Sequence, residues 1–146
     1  MTAPAREVRV GIIGLGVMGW KHAAAYAAAR TAGLPNRVVA VADHNPGCLS
    51  GPISGESNVA LSGQVSSVLD ASVRLYPTAE DLLQDRTIDL VSICTHTDTH
   101  VDVALMALAA DKHVLVEKPV STDPLQVRRL AVAAQSSHRL IMPAMC

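Results

Sequence analysis

In HVLVEKPVS, residues 113–121, an apolar run ends abruptly in Glu117, Lys118 and Pro119. An ammonium at such a place can hydrogen-bond a hydroxyl and ease its deprotonation as hydride leaves the carbinol carbon, provided a hydride acceptor is held beside it. Without that acceptor Lys118 is a solvated cation at the end of a strand. Glu117 is placed either to orient the lysine or to serve structure alone. Pro119 stiffens the exit, because it fixes its own φ and restricts the residue before it.

The stretch VRVGIIGLGVMGWKHAAAY supplies a place for such an acceptor. Gly14, Gly16 and Gly19 follow the order G-x-G-x-x-G directly after an apolar run and directly before an alanine-rich one. The first glycine permits a tight turn, the second lets backbone N–H groups approach a pyrophosphate, and the third lets helix and strand pack closely. Phosphates would then sit on the positive end of the helix, against Val17 and Met18. Asp43 ends the next apolar run about 24 positions beyond Gly19, where an acid accepts hydrogen bonds from an adenosine ribose, with His44 beside it. No Arg or Lys follows closely, so a 2′-phosphate would meet a carboxylate with no compensating cation. NAD is therefore expected over NADP.

A third polar group, CTHTDTH (94–100), ends another apolar run, so Thr95, His96, Thr97 and His100 are expected beside the cofactor. His96 and His100 would hold a metal together only if both lay on one helix. Thr97 or Asp98 reads as the N-cap of the following helix, which separates the two rings, and no metal is expected.

The chain has 146 residues and a net charge of −1, and 49% of it is hydrophobic, with no phenylalanine. This suits one core and gives no basic footprint for nucleic acid or an anionic membrane surface. The scarcity of aromatics argues against an all-β sandwich or a base-stacking platform. Cys48, Cys94 and Cys146 form no C-x-x-C pair, and no leader-like or membrane-spanning apolar run occurs. A cytoplasmic protein acting on a small molecule is expected.

Apolar runs at 8–13, 37–43, 73–76, 88–94, 113–117 and 139–142 are continuous rather than alternating, as in parallel strands covered on both faces. Helices are expected between them: one capped by Thr78 with Asp81 three residues on, one capped by Asp123 with Pro124 in its first position. Val127, Leu130, Ala131 and Ala134 read as the buried stripe of the latter, and Val101, Ala104, Leu105 and Leu108 as that of the helix before. The expected fold is an α/β doubly wound, mainly parallel sheet of the Rossmann type, about six strands with helices on both faces, formed by residues 1–146 as one domain. The segment 45–63, rich in Gly and Pro, reads as an insertion or a lid, with a helix beginning only near Glu56.

Together, GIIGLGVMGWKH, VADHN, ICTHTDTH and above all VLVEKPVS followed by DP resemble the N-terminal half of the Gfo/Idh/MocA oxidoreductases, over nearly the whole chain. The resemblance implies an NAD(P)-dependent enzyme oxidising a secondary alcohol of a sugar, cyclitol or related polyol. It gives Lys118 the task of binding and polarising the reacting hydroxyl, and matches His22 to a first-turn histidine with a packing role. Where the family often has a proline against the nicotinamide, this chain has His96. The family's C-terminal substrate domain, with its histidine, pocket and oligomer contacts, has no counterpart in residues 1–146. The expectation is a nucleotide-binding half with little activity of its own, homo-oligomeric only in a longer form. Two other readings stand beside it: an NAD-sensing module without chemistry, and a SAM-dependent methyltransferase, which requires no EKP.

Overall fold

Six apolar runs form six parallel strands in the computed structural model, which describes residues 6–50 and 68–145. They are β1 (Val8–Ile13), β2 (Asn36–Ala42), β3 (Arg74–Tyr76), β4 (Leu90–Ile93), β5 (His113–Glu117) and β6 (Ile141–Ala144). Between them lie α1 (Val17–Thr31), α2 (Ala79–Leu83), α3 (His100–Ala109) and α4 (Pro124–Ser136). The strand order is β3-β2-β1-β4-β5-β6. The chain thus winds outward one way from β1 and the other way from β4, and the crevice between these two strands is the switch point of a doubly wound sheet.

Residue alternation explains how the sheet is covered on both faces. Val10 and Ile12 join Leu15, Trp20 and Ala23 in one buried cluster, which places α1 on that face. Ile13 turns the other way and joins Leu82, Leu83, Val101, Ala104 and Leu130, from α2, α3 and α4. Gly11 also faces that side, where an added Cβ would lie 2.9 Å from Leu82. Burying each Ile or Leu so completely contributes about 1.5–3 kcal/mol relative to exposure. Pro143 lies in β6, an edge strand, where its missing N–H leaves no ladder bond unmade.

The helix starts follow their side chains. Thr78 Oγ1 accepts from the Asp81 amide at 3.1 Å, and Asp123 Oδ1 accepts from the Leu125 amide at 2.8 Å with Pro124 opening α4. The stripe expected on α4 is different, because α4 packs against α3 and only Leu130 is buried. Val127 and Ala131 are exposed. The start of α3 also differs. Thr97–Thr99 forms a short 3-10 turn with His96 as its N-cap, so the helix opens at His100 rather than after Thr97 or Asp98. In the 45–63 segment, Pro46–Ser50 is a 3-10 turn; the helix expected near Glu56 falls outside the described residues.

At the amino-terminal edge the sheet is tied by charge. Asp89 accepts from the Arg9 amide and guanidinium at 2.9 Å, and buried Lys112 donates through Nζ to the carbonyls of Asp85 and Ile88. Among the described residues no helix is long and apolar enough to cross a membrane.

Candidate active site

Gly14 leaves β1 with φ +90°, a conformation in which a side chain would be strained. A Cβ there would also lie 2.8 Å from the Cys94 carbonyl, so the turn rests directly on the end of β4. Gly19 is tighter still: its Cβ would lie 2.0 Å from the Gly14 carbonyl oxygen. Gly16 is the opposite case. It is the N-cap of α1, and a Cβ built on it meets nothing within 4 Å. The amides of Val17 and Met18 in the first turn have no intrahelical acceptor, and the first turn carries no acidic side chain. Open space, free amides and the positive helix end fit a pyrophosphate.

Asp43 closes the turn from the side. Its Oδ2 accepts from the Leu15 amide at 2.7 Å, and its Oδ1 from the Asn45 amide at 2.8 Å. An ionised carboxylate has about four acceptor positions, so two remain for ribose hydroxyls. His44 lies beside it, largely exposed, with Nδ1 3.8 Å from Asp43 Oδ1.

The loops after β4 and β5 complete this edge. Thr99 Oγ1 lies 2.8 Å from both the His96 carbonyl, to which it can donate, and Thr95 Oγ1, from which it can accept, so the turn holds its own shape. His96 is exposed and Thr97 partly so, beside that turn. His100 departs from the expectation of cofactor contact. It is 1% exposed, with Nδ1 2.9 Å from the Pro119 carbonyl and Nε2 3.0 Å from the Thr95 carbonyl. It ties the two loops together from beneath, and neither ring nitrogen is left as a metal ligand.

Lys118 is exposed, and among the described residues its ammonium has no ion-pair partner. Glu117 points inward, at 7% exposure. Its Oε1 is 2.8 Å from His22 Nε2, its Oε2 accepts from the Lys118 amide at 3.0 Å, and His22 Nδ1 is 2.7 Å from Ser92 Oγ. Sequence reasoning gave His22 only a packing role and passed over Ser92. The available signal was a serine inside an otherwise apolar strand, which needs a polar partner once buried. Burial, and secondarily the Glu117 charge, push the nearby Cys94 thiol up to about 12, so it is an inert core residue.

A cleft of about 580 Å³ lined by Arg9, Asp89, Lys112 and Arg139 lies at the opposite, amino-terminal ends of the strands. Its Arg9, Asp89 and Arg139 are already spent on ion pairs, Arg139 with Asp111. Ligands of open α/β sheets bind at the carboxyl ends, where the glycine turn, Asp43 and Lys118 converge.

Strand order, glycine turn and acid together define an NAD-binding Rossmann domain. Residues 8–145 match the family model described as "Oxidoreductase family, NAD-binding Rossmann fold", and the chain belongs to this Gfo/Idh/MocA family. It is 31% identical over 135 residues to a UDP-N-acetylglucosamine 3-dehydrogenase of Acidithiobacillus ferrooxidans, covering 92% of this chain and 36% of that protein. It is 29% identical over 132 residues to an inositol 2-dehydrogenase of Salmonella typhimurium, covering 90% and 34%. Among solved structures, an NAD binding oxidoreductase from Klebsiella pneumoniae superposes with a TM-score of 0.76 at 27% identity, covering 94% of this chain and 34% of that one. A myo-inositol dehydrogenase from Lactobacillus casei, solved with NAD(H) and myo-inositol, gives 0.72 at 25%, covering 94% and 36%. The chain thus spans about a third of the length of these relatives.

Proposed function

We propose that this chain is the nucleotide-holding part of a dehydrogenase that oxidises a secondary alcohol of a sugar, cyclitol or related polyol, with NAD preferred over NADP. The observation that carries the reading is the open ground at Gly16, flanked by the Asp43 carboxylate and facing the same sheet edge as the exposed Lys118. Val17 and Met18 amides would hold the pyrophosphate and Asp43 the adenosine ribose. Thr95, His96 and Thr97 would line the nicotinamide half, with Glu117 beneath. When bound, the nicotinamide supplies a hydride acceptor. Lys118 would donate a hydrogen bond to the substrate hydroxyl and stabilise the negative charge that grows on its oxygen as the proton leaves.

Preference for NAD follows from charge. A 2′-phosphate would be brought against the Asp43 carboxylate, and His44 beside it is solvated. The substrate class is supported by the sugar and inositol relatives, and by an exposed lysine suited to a hydroxyl. Turnover is proposed to need a further acid/base group, because Lys118 as an ammonium polarises the hydroxyl but does not take up its proton. The test is titration with NAD⁺, NADP⁺ and S-adenosylmethionine, followed by an assay with NAD⁺ and myo-inositol. Saturable NAD⁺ binding with little turnover is expected. Binding of S-adenosylmethionine without NAD⁺ would defeat the reading, and turnover that survives Lys118→Ala would remove the role given to the lysine.

A further inference from the structure

Beside Lys118 lies a buried acid, Glu117, which takes no part in polarising the hydroxyl. Glu117 Oε2 accepts from the Lys118 amide and Oε1 faces His22 Nε2; with the proton on Nε2, both oxygens accept, as a carboxylate does. The contacts behind it run as a chain. His22 Nδ1 meets Ser92 Oγ, and Ser92 Oγ accepts from the Tyr26 hydroxyl at 3.4 Å, so Ser92 can donate to the ring and leave Nε2–H for Glu117. Both His22 and Glu117 side chains are about nine-tenths buried, at 12% and 9% exposure. Little water screens this anion.

Its position gives the charge a direction. Glu117 follows the β5 residue paired with Ile93, which sets it level with Cys94 at the end of β4, and its charge is felt by the Cys94 thiol. The Cys94 carbonyl in turn abuts Gly14, where the nucleotide turn begins. The anion therefore lies at the carboxyl end of β5, one strand from the crevice between β1 and β4, the switch point across which a dinucleotide lies.

We propose that Glu117, locked by His22, makes this site prefer the oxidised cofactor: a fixed anion stabilises a cationic nicotinamide ring and does little for the neutral reduced one. Glu117 is then a specificity determinant for the redox form, and His22 its positioning residue. The effect favours occupancy by NAD⁺ and release of the reduced product, at the cost of some driving force for hydride transfer on the protein. The proposal rests on NAD binding as read above, and adds to it a sign.

The chain, E117Q, and H22Q are titrated with NAD⁺ by calorimetry and with NADH by quenching of Trp20, the sole tryptophan. E117Q should weaken NAD⁺ roughly threefold to tenfold, as one partly screened charge would, and change NADH less than about twofold. H22Q retains an amide donor toward Glu117 and should keep the wild-type ratio of the two affinities. Equal weakening of both forms in E117Q, or greater weakening of NADH, overturns the proposal while leaving NAD binding intact. Failure of the unmutated chain to bind either form removes the NAD reading itself, and this proposal with it.

Should E117Q fold poorly, reciprocity gives the same answer on the unmutated chain. The Glu117 carboxylate, followed through its carbon shift by NMR, should protonate at lower pH with NAD⁺ bound than with NADH bound; identical titrations would overturn the proposal. The polar groups around Glu117 in that experiment are His22 and Tyr26 from α1, Ser92 from β4, Cys94 just beyond it, and Lys118 just after β5.

Discussion

The Asp43 carboxylate reaches from the end of β2 to accept the Leu15 amide at 2.7 Å, inside the glycine turn that leaves β1. One side chain thus shapes the loop that would hold the pyrophosphate and presents its remaining lone pairs to the ribose. D43A should weaken NAD⁺ binding by about tenfold or more, the value of a lost charge-assisted hydrogen bond, and narrow the gap between NAD⁺ and NADP⁺. Calorimetric titration of both cofactors reads this. An unchanged NAD⁺/NADP⁺ ratio would take the discriminating role away from Asp43.

The glycines separate fold from function. Nothing lies within 4 Å of a Cβ on Gly16, so G16A should fold with wild-type stability yet lose roughly tenfold or more of its NAD⁺ affinity, because the methyl occupies cofactor space. G19A must displace the Gly14 carbonyl, 2.0 Å from its Cβ, and should lose stability as well as binding. Thermal melts beside titrations distinguish the two. Full affinity in G16A would place the phosphates elsewhere.

His100 should prove structural. H100L leaves the Thr95 and Pro119 carbonyls without their buried partner, and a cost of about 2–4 kcal/mol is expected in chemical denaturation. A loss below about 0.5 kcal/mol would mean that water or a neighbour replaces the ring.

Acid stability should depend on the amino-terminal edge. The Arg9 side chain, with its amide and charge, holds Asp89 down to about 2, below the ordinary 3.8. Burial opposes the same fall at Asp85, but hydrogen bonds from Thr87, Tyr76 and Arg74 outweigh it and bring that group also to about 2. Carboxyls depressed in the folded state stabilise it above their unfolded pKa, and this is lost as pH falls through the folded value. Stability should therefore decline between about pH 4 and about pH 2. D89N should be less stable at neutral pH and show a shallower acid decline, measured by urea denaturation across that range.

Much of this fold was legible because its signals are local. Continuous apolar runs, the spacing of Gly14, Gly16 and Gly19, and the caps at Thr78 and Asp123 each depend on neighbours in sequence. The α4 stripe was misread because burial depends on what lies opposite. What lies there is chiefly α3, and it covers Leu130 but not Val127 or Ala131. His100 is expected beside the cofactor from its place in CTHTDTH, but its ring faces the carbonyls of Thr95 and, in the loop after β5, Pro119. His22 and Glu117 are 95 positions apart, and no periodicity connects them. The strand ends and the candidate lysine could be read; the hydrogen bonds that turn each side chain inward or outward could not.

The central claim is that the carboxyl edge of this sheet is a site for NAD. Calorimetric titration of the purified chain with NAD⁺ tests it most directly, with G16A as the control. Saturable binding at one site per chain, lost in a G16A protein that melts like the unmutated one, is the predicted result. A folded chain that binds no NAD⁺, or binds it equally well as G16A, would contradict the account.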